Sequence, residues 1–182
     1  MNNITFITGN QHKADYLTRQ LGIEITHQKI DLDEIQSLNV REIVEHKLKQ
    51  AYETVQHPVI VEDVSLGFTA LNGLPGPYIK WFVENAGNET LCRMLDAFED
   101  RSAEIISVFG YFDGKNIQFF ERSCKGKISK EPRGTTGFGF DQIFVSEGYK
   151  ITRSEMTQED NEKHYADSIK PYGQLKEFIH SL

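Results

Sequence analysis

The sequence predicts a mixed α/β fold, and three observations carry that prediction. Residues 4–7 form an apolar run of β-branched and aromatic residues, and helix-spaced apolar residues follow it in Gln11–Leu21. Residues 59–61 are wholly apolar, as in a sheet that is covered on both faces. Asp113 and Gly114 separate two strand-like segments and favour a hairpin. We therefore expect a mixed sheet with helices packed around it, in the α/β or α+β class.

The other predicted elements also have local reasons. Residues 23–30 alternate apolar and polar side chains, the period of a half-buried strand. Val40–Val55 carries its apolar residues on one helical stripe, and Pro58 stops that helix. The remaining predictions are helices at 78–84, 88–98 and 172–181, strands at 103–112, 116–122 and 143–145, an extension of the sheet over 123–129, and loops at 74–77 and 133–140.

Composition limits the classes of function. The chain has 182 residues and a net charge of −7, which argues against a nucleic-acid duplex or an anionic membrane as the main partner. Cys92 and Cys124 lack the spacing of a disulfide framework or a zinc site, which favours a reduced, cytoplasmic setting. Residues 1–7 do not resemble a signal peptide, and no apolar run approaches a membrane span. We expect one domain over residues 1–182.

The turn at residues 8–13 (Thr-Gly-Asn-Gln-His-Lys) is a candidate phosphate site. It joins a predicted strand to a helix N-terminus, where free backbone N–H groups and the helix dipole favour an anion. Gly9 allows a close approach of the backbone, and Lys13 adds a positive charge one turn into the helix. The spacing fits neither a Walker A loop nor a dinucleotide fingerprint. The alternative is an ordinary turn that Thr8 or Asn10 caps.

Acidic residues follow two predicted strands. Glu62 and Asp63 come directly after residues 59–61, at the strand end where α/β proteins usually bind ligands. The segment 31–34, which includes Glu34, adds further carboxylates beyond the second strand. Such oxygens suit Mg²⁺, and one carboxylate can act as a base on water. Exposed loop acids or helix caps are the alternative.

Lysines and aromatic residues supply further candidates. Lys47 lies on the predicted second helix, and Lys80 follows a rigid Pro-Gly-Pro loop; single lysines are surface residues by default. Phe138 and Phe140 alternate within a glycine-rich segment and suit stacking on a flat base, with Asp141 as a hydrogen-bond acceptor. Plain strand packing is the alternative for these aromatic side chains.

Five segments in this order resemble the inosine/xanthosine triphosphate pyrophosphatase family. They are residues 8–13, 29–34, 59–63, 71–82 and 137–141. The stretch 71–82 is especially similar to members of the eukaryotic type. The similarity runs from the N-terminus to about residue 156, and the joint occurrence of the five motifs is specific.

The resemblance implies an activity, a fold and a set of site residues. The activity is hydrolysis of deaminated purine nucleoside triphosphates such as ITP, dITP and XTP to the monophosphate and pyrophosphate. The enzyme would be a homodimer that uses Mg²⁺, with Mn²⁺ as the alternative ion. Its fold would be a long curved mixed sheet flanked by helices, with the active site in a cleft between two lobes. By position, the resemblance implies that the phosphates bind to Thr8, Asn10, Lys13, Lys47 and Lys80. It implies that the metal binds to Glu34, Asp63 and Glu62, that Asp63 prepares the attacking water, and that Glu34 and Lys13 are also catalytic. The base would contact Phe138, Phe140 and Asp141.

The C-terminal segment departs from the family pattern. Members of the family carry Lys-Asn and then Ser-His-Arg, which read the 6-keto edge of the purine. An ungapped comparison puts Ala166 and Asp167 in the places of the His and Arg, and a shift of two residues matches His164 but puts Tyr165 in place of the Arg. Lys163 and His164 are the substitutes that remain. Base preference is therefore open, and the alternatives are the same chemistry on another or modified nucleoside triphosphate, or a nucleotide-binding protein with little turnover.

Overall fold

The computed structural model describes residues 4–182, without the side chain of His12, and confirms the mixed α/β class. Residues 1–3, which begin the segment expected not to be a signal peptide, lie outside the described residues. The strands are β1 (Thr5–Ile7), β2 (Thr26–Gln28), β3 (Val59–Phe68), β4 (Pro75–Gly76), β5 (Ser102–Phe112), β6 (Ile117–Ile128) and β7 (Phe144–Ser146). The α-helices are α1 (Gln11–Leu21), α2 (Val40–Val55), α3 (Ile79–Arg93), α4 (Gln158–His164) and α5 (Tyr172–His180), and a π-helix covers Tyr165–Ile169.

All seven strands belong to one mixed sheet. Its order is β2-β1-β3-β5-β6-β7, and β4 pairs with β3 beside this path. β1 runs parallel to β2 and β3, whereas β4 and β7 pair antiparallel with their neighbours. No helix within residues 4–182 is long and apolar enough to cross a membrane.

The chain divides into two compact units. Unit 1 comprises the part up to Asp63, Ser107–Arg122 and Lys170–Leu182; unit 2 comprises Val64–Ile106 and Ser123–Ile169. Three of the four boundaries between the units fall inside β3, β5 and β6, and the fourth follows the π-helix at Ile169.

Unit 1 contains the parallel strands β1 and β2, the start of β3, and parts of β5 and β6, together with helices α1, α2 and α5. Asn10 and Asn39 cap α1 and α2, because each side-chain oxygen accepts a hydrogen bond from a backbone N–H of the first turn. Gly22 ends α1 with φ of 70°, in the left-handed region that favours glycine. Helix α2 packs closely on β5, since a Cβ at Gly110 would lie 2.5 Å from a methyl carbon of Val44. These contacts fix the helices that carry the lysines described below.

Unit 2 has its own apolar core. The backbone of α3 is not helical at Gly87, whose φ is 80°, so α3 consists of two helical segments, as predicted; the second ends at Arg93 and not at residue 98. The buried residues that pack together are Leu66, Phe68, Ile79, Leu91, Cys92, Leu95, Ala103, Ile105, Ile128, Ile143, Phe144 and Ile169. This core supports the glycine-rich segment 133–140, which contains neither helix nor strand.

Candidate active site

The prediction that Glu62 and Asp63 follow the end of a strand was wrong. Both lie in the middle of β3, which continues to Phe68. Acidic residues are depleted in strands, so the apolar pattern broke off at residue 61. Both side chains have cationic partners, which offsets the cost of burying their charge. Because successive side chains of a strand point to opposite faces, the two acids contact different lysines.

Lys47 of α2 lies between two carboxylates. Its Nζ donates to Oε1 of Glu34 at 2.8 Å and to Oδ2 of Asp63 at 2.6 Å. Burial acts to lower the pKa of Lys47, but the contacts with Asp63 and Glu34 outweigh it and raise the pKa. The structure thus brings together three residues from separate segments that the sequence analysis singled out.

The turn at residues 8–13 is tied together by its own side chains. Oγ1 of Thr8 accepts a hydrogen bond from the backbone N–H of Asn10 at 3.1 Å, and Oδ1 of Asn10 accepts one from the backbone N–H of Lys13 at 3.2 Å. The side chain of Lys13 is 32 % exposed, and its Nζ lies 3.4 Å from Oε2 of Glu62. Burial lowers the pKa of Lys13; the charge of Asp63 opposes this shift, and the charge of Lys47 adds to it. An amine on the capped first turn of α1 is well placed to receive an anion.

Lys170 was missed by the sequence analysis. Its side chain is fully buried, its Nζ is hydrogen-bonded to Oε1 of Glu62, and it donates to Oγ of Ser107 at 3.1 Å. Burial, followed by the positive charge of Lys13, lowers the pKa of Lys170 well below its usual range. Glu62 therefore bridges an interior lysine and the lysine of the 8–13 turn. Since Lys170 lies 108 residues from Glu62 in the chain, no local pattern signals the contact.

Lys80 belongs to unit 2. It is exposed in the first turn of α3, and its Nζ lies 5.7 Å from the centroid of the Trp81 ring. The indole is itself 54 % exposed. Lys80 thus has the surface position that is the default for a single lysine.

Asp141 is a buried acid whose two oxygens are both engaged. Oδ1 accepts a hydrogen bond from Nη1 of Arg153 at 2.6 Å, and Oδ2 accepts one from the backbone N–H of Phe138 at 3.1 Å. Burial raises the pKa of Asp141, and the charge of Arg153 opposes that shift. The ring of Phe138 is 58 % exposed, whereas Phe140 is partly buried against the core of unit 2. Of the residues expected at the base, Phe138 alone combines an aromatic face with exposure above half.

The C-terminal substitutes differ in their surroundings. Lys163 is exposed, whereas His164 at the end of α4 is buried and packs its ring edge-to-face on Tyr149, with centroids 5.1 Å apart. Among the described residues, Nδ1 of His164, Nε of Arg153 and Oγ of Ser154 are buried polar atoms without a hydrogen-bond partner. Such atoms in native proteins usually meet an ordered water or a ligand.

His164 provides a prediction about pH. Burial lowers its pKa below the ordinary 6.5, and the charge of Arg153 lowers it further, against Asp167. Between the two pKa values the unfolded chain binds more protons, so the free energy of unfolding rises with pH there. We expect stability in urea denaturation to be greatest above pH 6.5 and to fall as the pH drops below it. His164→Gln should flatten this dependence; an unchanged slope would assign it to another group.

Comparisons with known proteins agree with this fold and its motifs. Residues 4–167 match the model of the Ham1 family. An inosine triphosphate pyrophosphatase of Schizosaccharomyces pombe is 42 % identical over 188 residues, covering 100 % of this chain and 97 % of that protein. One of Yarrowia lipolytica is 38 % identical over 182 residues, covering 97 % of this chain and 95 % of that protein.

Solved structures show the same fold. A Ham1 protein from Coxiella burnetii aligns with a TM-score of 0.88 at 24 % identity and covers 100 % of both chains. The Staphylococcus aureus Ham1 protein aligns with a TM-score of 0.85 at 23 % identity and covers 98 % of both chains. The match to the family model, the full-length relatives and the shared fold lead to one conclusion: this chain belongs to the Ham1 family.

Proposed function

We propose that this protein hydrolyses deaminated purine nucleoside triphosphates, such as ITP, dITP and XTP, to the monophosphate and pyrophosphate. The relatives named inosine triphosphate pyrophosphatase support this activity. The observation that carries the proposal in this chain is the ammonium of Lys47, held between Glu34 and Asp63 in the unit that also contains Lys13. A polyphosphate needs cations for its charge, and its cleavage needs a carboxylate that can prepare water.

Unit 1 supplies the contacts to the phosphates. Lys13 is partly exposed on the first turn of α1, and Asn10 leaves its side-chain amide as a donor because its oxygen caps the helix. Lys47 adds a charge that stays positive at neutral pH, since the contacts with Asp63 and Glu34 raise its pKa. Lys13 and Lys47 would thus receive the charge of the pyrophosphate as it leaves.

The donor set fits a divalent cation. Glu34 and Asp63 already share the charge of one ammonium. Within residues 4–182, no group of three or more His, Cys, Asp or Glu side chains is arranged to hold a metal ion. Mg²⁺ usually takes one or two protein carboxylates and completes its shell with water and substrate phosphates. Glu34 and Asp63 would therefore hold Mg²⁺ or Mn²⁺, which would neutralise charge on the phosphates. We assign Glu62 to Lys13 and Lys170 instead.

Asp63 is also proposed as the base. Its Oδ2 is oriented by Lys47, and its carboxylate would accept a proton from the attacking water. The water oxygen would form a new bond to phosphorus while the anhydride between the α and β phosphates breaks. The products of that single cleavage are the nucleoside monophosphate and pyrophosphate.

The residues that the family resemblance assigns to the base all belong to unit 2. Phe138 would stack on the purine, with Phe140 beneath the segment and with Lys163 and His164 as candidate polar contacts. Both oxygens of Asp141 are engaged within the protein, so we assign Asp141 a positioning role. The missing Arg and this engaged Asp141 favour a second candidate function, the same hydrolysis with another base preference. A cytoplasmic location, which the cysteine content favours, and assembly as a homodimer, which the family resemblance implies, stay predictions.

A panel of nucleoside triphosphates with pyrophosphate release as the readout tests the proposal. We expect ITP, dITP and XTP to be hydrolysed faster than ATP, GTP or the pyrimidine triphosphates. Faster release from one of the latter would support the second candidate instead. Tight binding of ITP without release in Mg²⁺ or Mn²⁺ would contradict both and indicate a binding protein.

Replacing Lys47 with Met tests the phosphate site. Without the ammonium, the phosphates lose one positive charge and Glu34 and Asp63 lose the donor that orients them, so we expect kcat/KM for ITP to fall about tenfold or more. Lys49→Met on the same helix is the matched control, because Lys49 is exposed and pairs with Glu45. Equal values for the two variants would remove Lys47 from the proposed site.

A further inference from the structure

Arg153 is a buried cation with a fixed geometry. Arg153 is 2 % exposed. It lies in a short 3₁₀ turn that is stabilised by reciprocal hydrogen bonds between Thr152 and Glu155. Its guanidinium donates from Nη1 to Asp141 at 2.6 Å and from Nη2 to Oδ1 of Asn161 at 2.7 Å. The planar fork thus joins Asp141, which directly follows the glycine-rich segment, to Asn161 of helix α4.

Stability alone is a weak reason for such a cluster. A buried ion pair costs much desolvation, and apolar residues of similar volume often serve stability as well or better. The charged hydrogen bonds add geometric specificity, because a guanidinium fixes the orientation of the groups that accept its hydrogen bonds. The groups that contact Arg153 are therefore the groups whose orientation it fixes.

Two paths lead from Arg153 to Phe138. In the first, Asp141 accepts from Arg153 with one oxygen and from the backbone N–H of Phe138 with the other. In the second, the guanidinium lies 4.9 Å from the centroid of the Tyr165 ring, and this ring packs edge-to-face on Phe138 with centroids 6.0 Å apart. One side chain therefore holds both the backbone and the ring of Phe138.

The glycine-rich segment is tightly fitted at this point. Gly137 has φ of 76°, and a Cβ there would lie 2.2 Å from Oδ2 of Asp141 and 2.7 Å from Nδ2 of Asn161. The residue before Phe138 thus passes directly over the cluster that Arg153 organises. The ring of Phe138 nevertheless stays 58 % exposed.

We propose that Arg153 is a positioning residue that holds the ring of Phe138 ready to stack on a purine base. The inference rests on the proposed function, since it assumes a nucleotide as the ligand. It assigns a role to a residue that no motif of the sequence analysis contained. It also assigns a role to the divergent C-terminal segment, because Asn161 accepts a hydrogen bond from Arg153 and Tyr165 packs against Phe138.

Arg153→Lys is the main test, because lysine keeps the charge but cannot donate to Asp141 and Asn161 as a planar fork. The readouts are the inhibition constants of IMP, which carries the base, and of inorganic pyrophosphate, which lacks it. Stacking on an aromatic residue is worth about 1–3 kcal/mol per base, so we expect the IMP constant to rise about fivefold or more. The pyrophosphate constant should change less than about twofold. A general structural loss would raise both.

A double-mutant cycle with Phe138→Ala tests whether Arg153 acts through Phe138. In the Phe138→Ala background, Arg153→Lys should leave the IMP constant unchanged. An additional independent loss, or an unchanged IMP constant in Arg153→Lys alone, would overturn the proposal. If Arg153→Lys does not fold, Asn161→Ala replaces it in the cycle, since it removes one acceptor of the fork and keeps the pair with Asp141. Failure of the parent protein to hydrolyse ITP would refute the proposed function instead.

Discussion

Replacing Asp63 with Asn is expected to lower the rate of pyrophosphate release from ITP by about 10²- to 10⁴-fold. The amide keeps the size of the side chain but cannot accept a proton from water, and it loses the charge that would attract a divalent cation. The hydrogen bond from Lys47 can be retained by the amide oxygen, so the fold should survive. Single-turnover kinetics with saturating metal measure the effect on the chemical step.

Asp15→Asn is the matched control for this prediction. Asp15 is exposed on α1, where its carboxylate accepts a hydrogen bond from the side chain of Gln11. The control should release pyrophosphate at the rate of the parent protein. A rate for Asp63→Asn within about tenfold of the parent, in a folded sample, would remove Asp63 from the role of base.

Replacing Lys170 with Met is expected to lower the free energy of unfolding by about 3–5 kcal/mol. Met fills similar space, but the carboxylate of Glu62, whose side chain is 3 % exposed, then keeps the partly exposed Lys13 and loses its interior partner. The hydroxyl of Ser107, which is fully buried, loses a donor as well. Urea denaturation at neutral pH measures the change.

Two further variants separate charge from packing at Lys170. Adding Glu62→Gln to Lys170→Met should recover much of the lost stability, because a neutral amide then replaces the buried carboxylate that has lost one of its two lysine partners. Lys176→Met on the exposed side of α5 should change the free energy of unfolding by less than about 0.5 kcal/mol. A loss at Lys170 no larger than this control would show that the buried pair adds nothing to stability.

Two helices were predictable from sequence because their signals are local. The predicted bounds Gln11–Leu21 and Val40–Val55 agree with α1 and α2. Each helix has an Asn cap before its first residue and a regular apolar stripe, so neighbouring residues determine where it starts and which face it buries. The C-terminal helix, predicted at 172–181, is observed as Tyr172–His180; it has no side-chain cap, and its signal is the apolar stripe of Tyr172, Leu175 and Ile179.

Strand β3 and helix α4 are elements that the local sequence pattern did not predict correctly. The strand continues through Glu62 and Asp63 only because lysines from distant segments pair with them. Helix α4 begins at a Thr157 cap, but its seven residues are mostly polar and carry little periodic signal. In both cases tertiary contacts decide a structure that the local pattern does not specify.

The motif residues of the candidate site were predictable from sequence, whereas the buried cations that contact them were not. Glu34, Lys47 and Asp63 were singled out, and the structure brings them together. Lys170 and Arg153 were not, because a single buried cation has the same appearance in sequence as a surface residue. Their partners are 108 and 12 residues away in the chain, respectively, and only the fold reveals them.

The most direct test of the central claim is the product analysis of ITP hydrolysis by the protein in the presence of Mg²⁺. The lysines and carboxylates of unit 1 are proposed to cleave the anhydride between the α and β phosphates. The account predicts IMP and pyrophosphate in equal amounts, with no orthophosphate formed first. Release of IDP and orthophosphate, or no product from ITP at all, would contradict it.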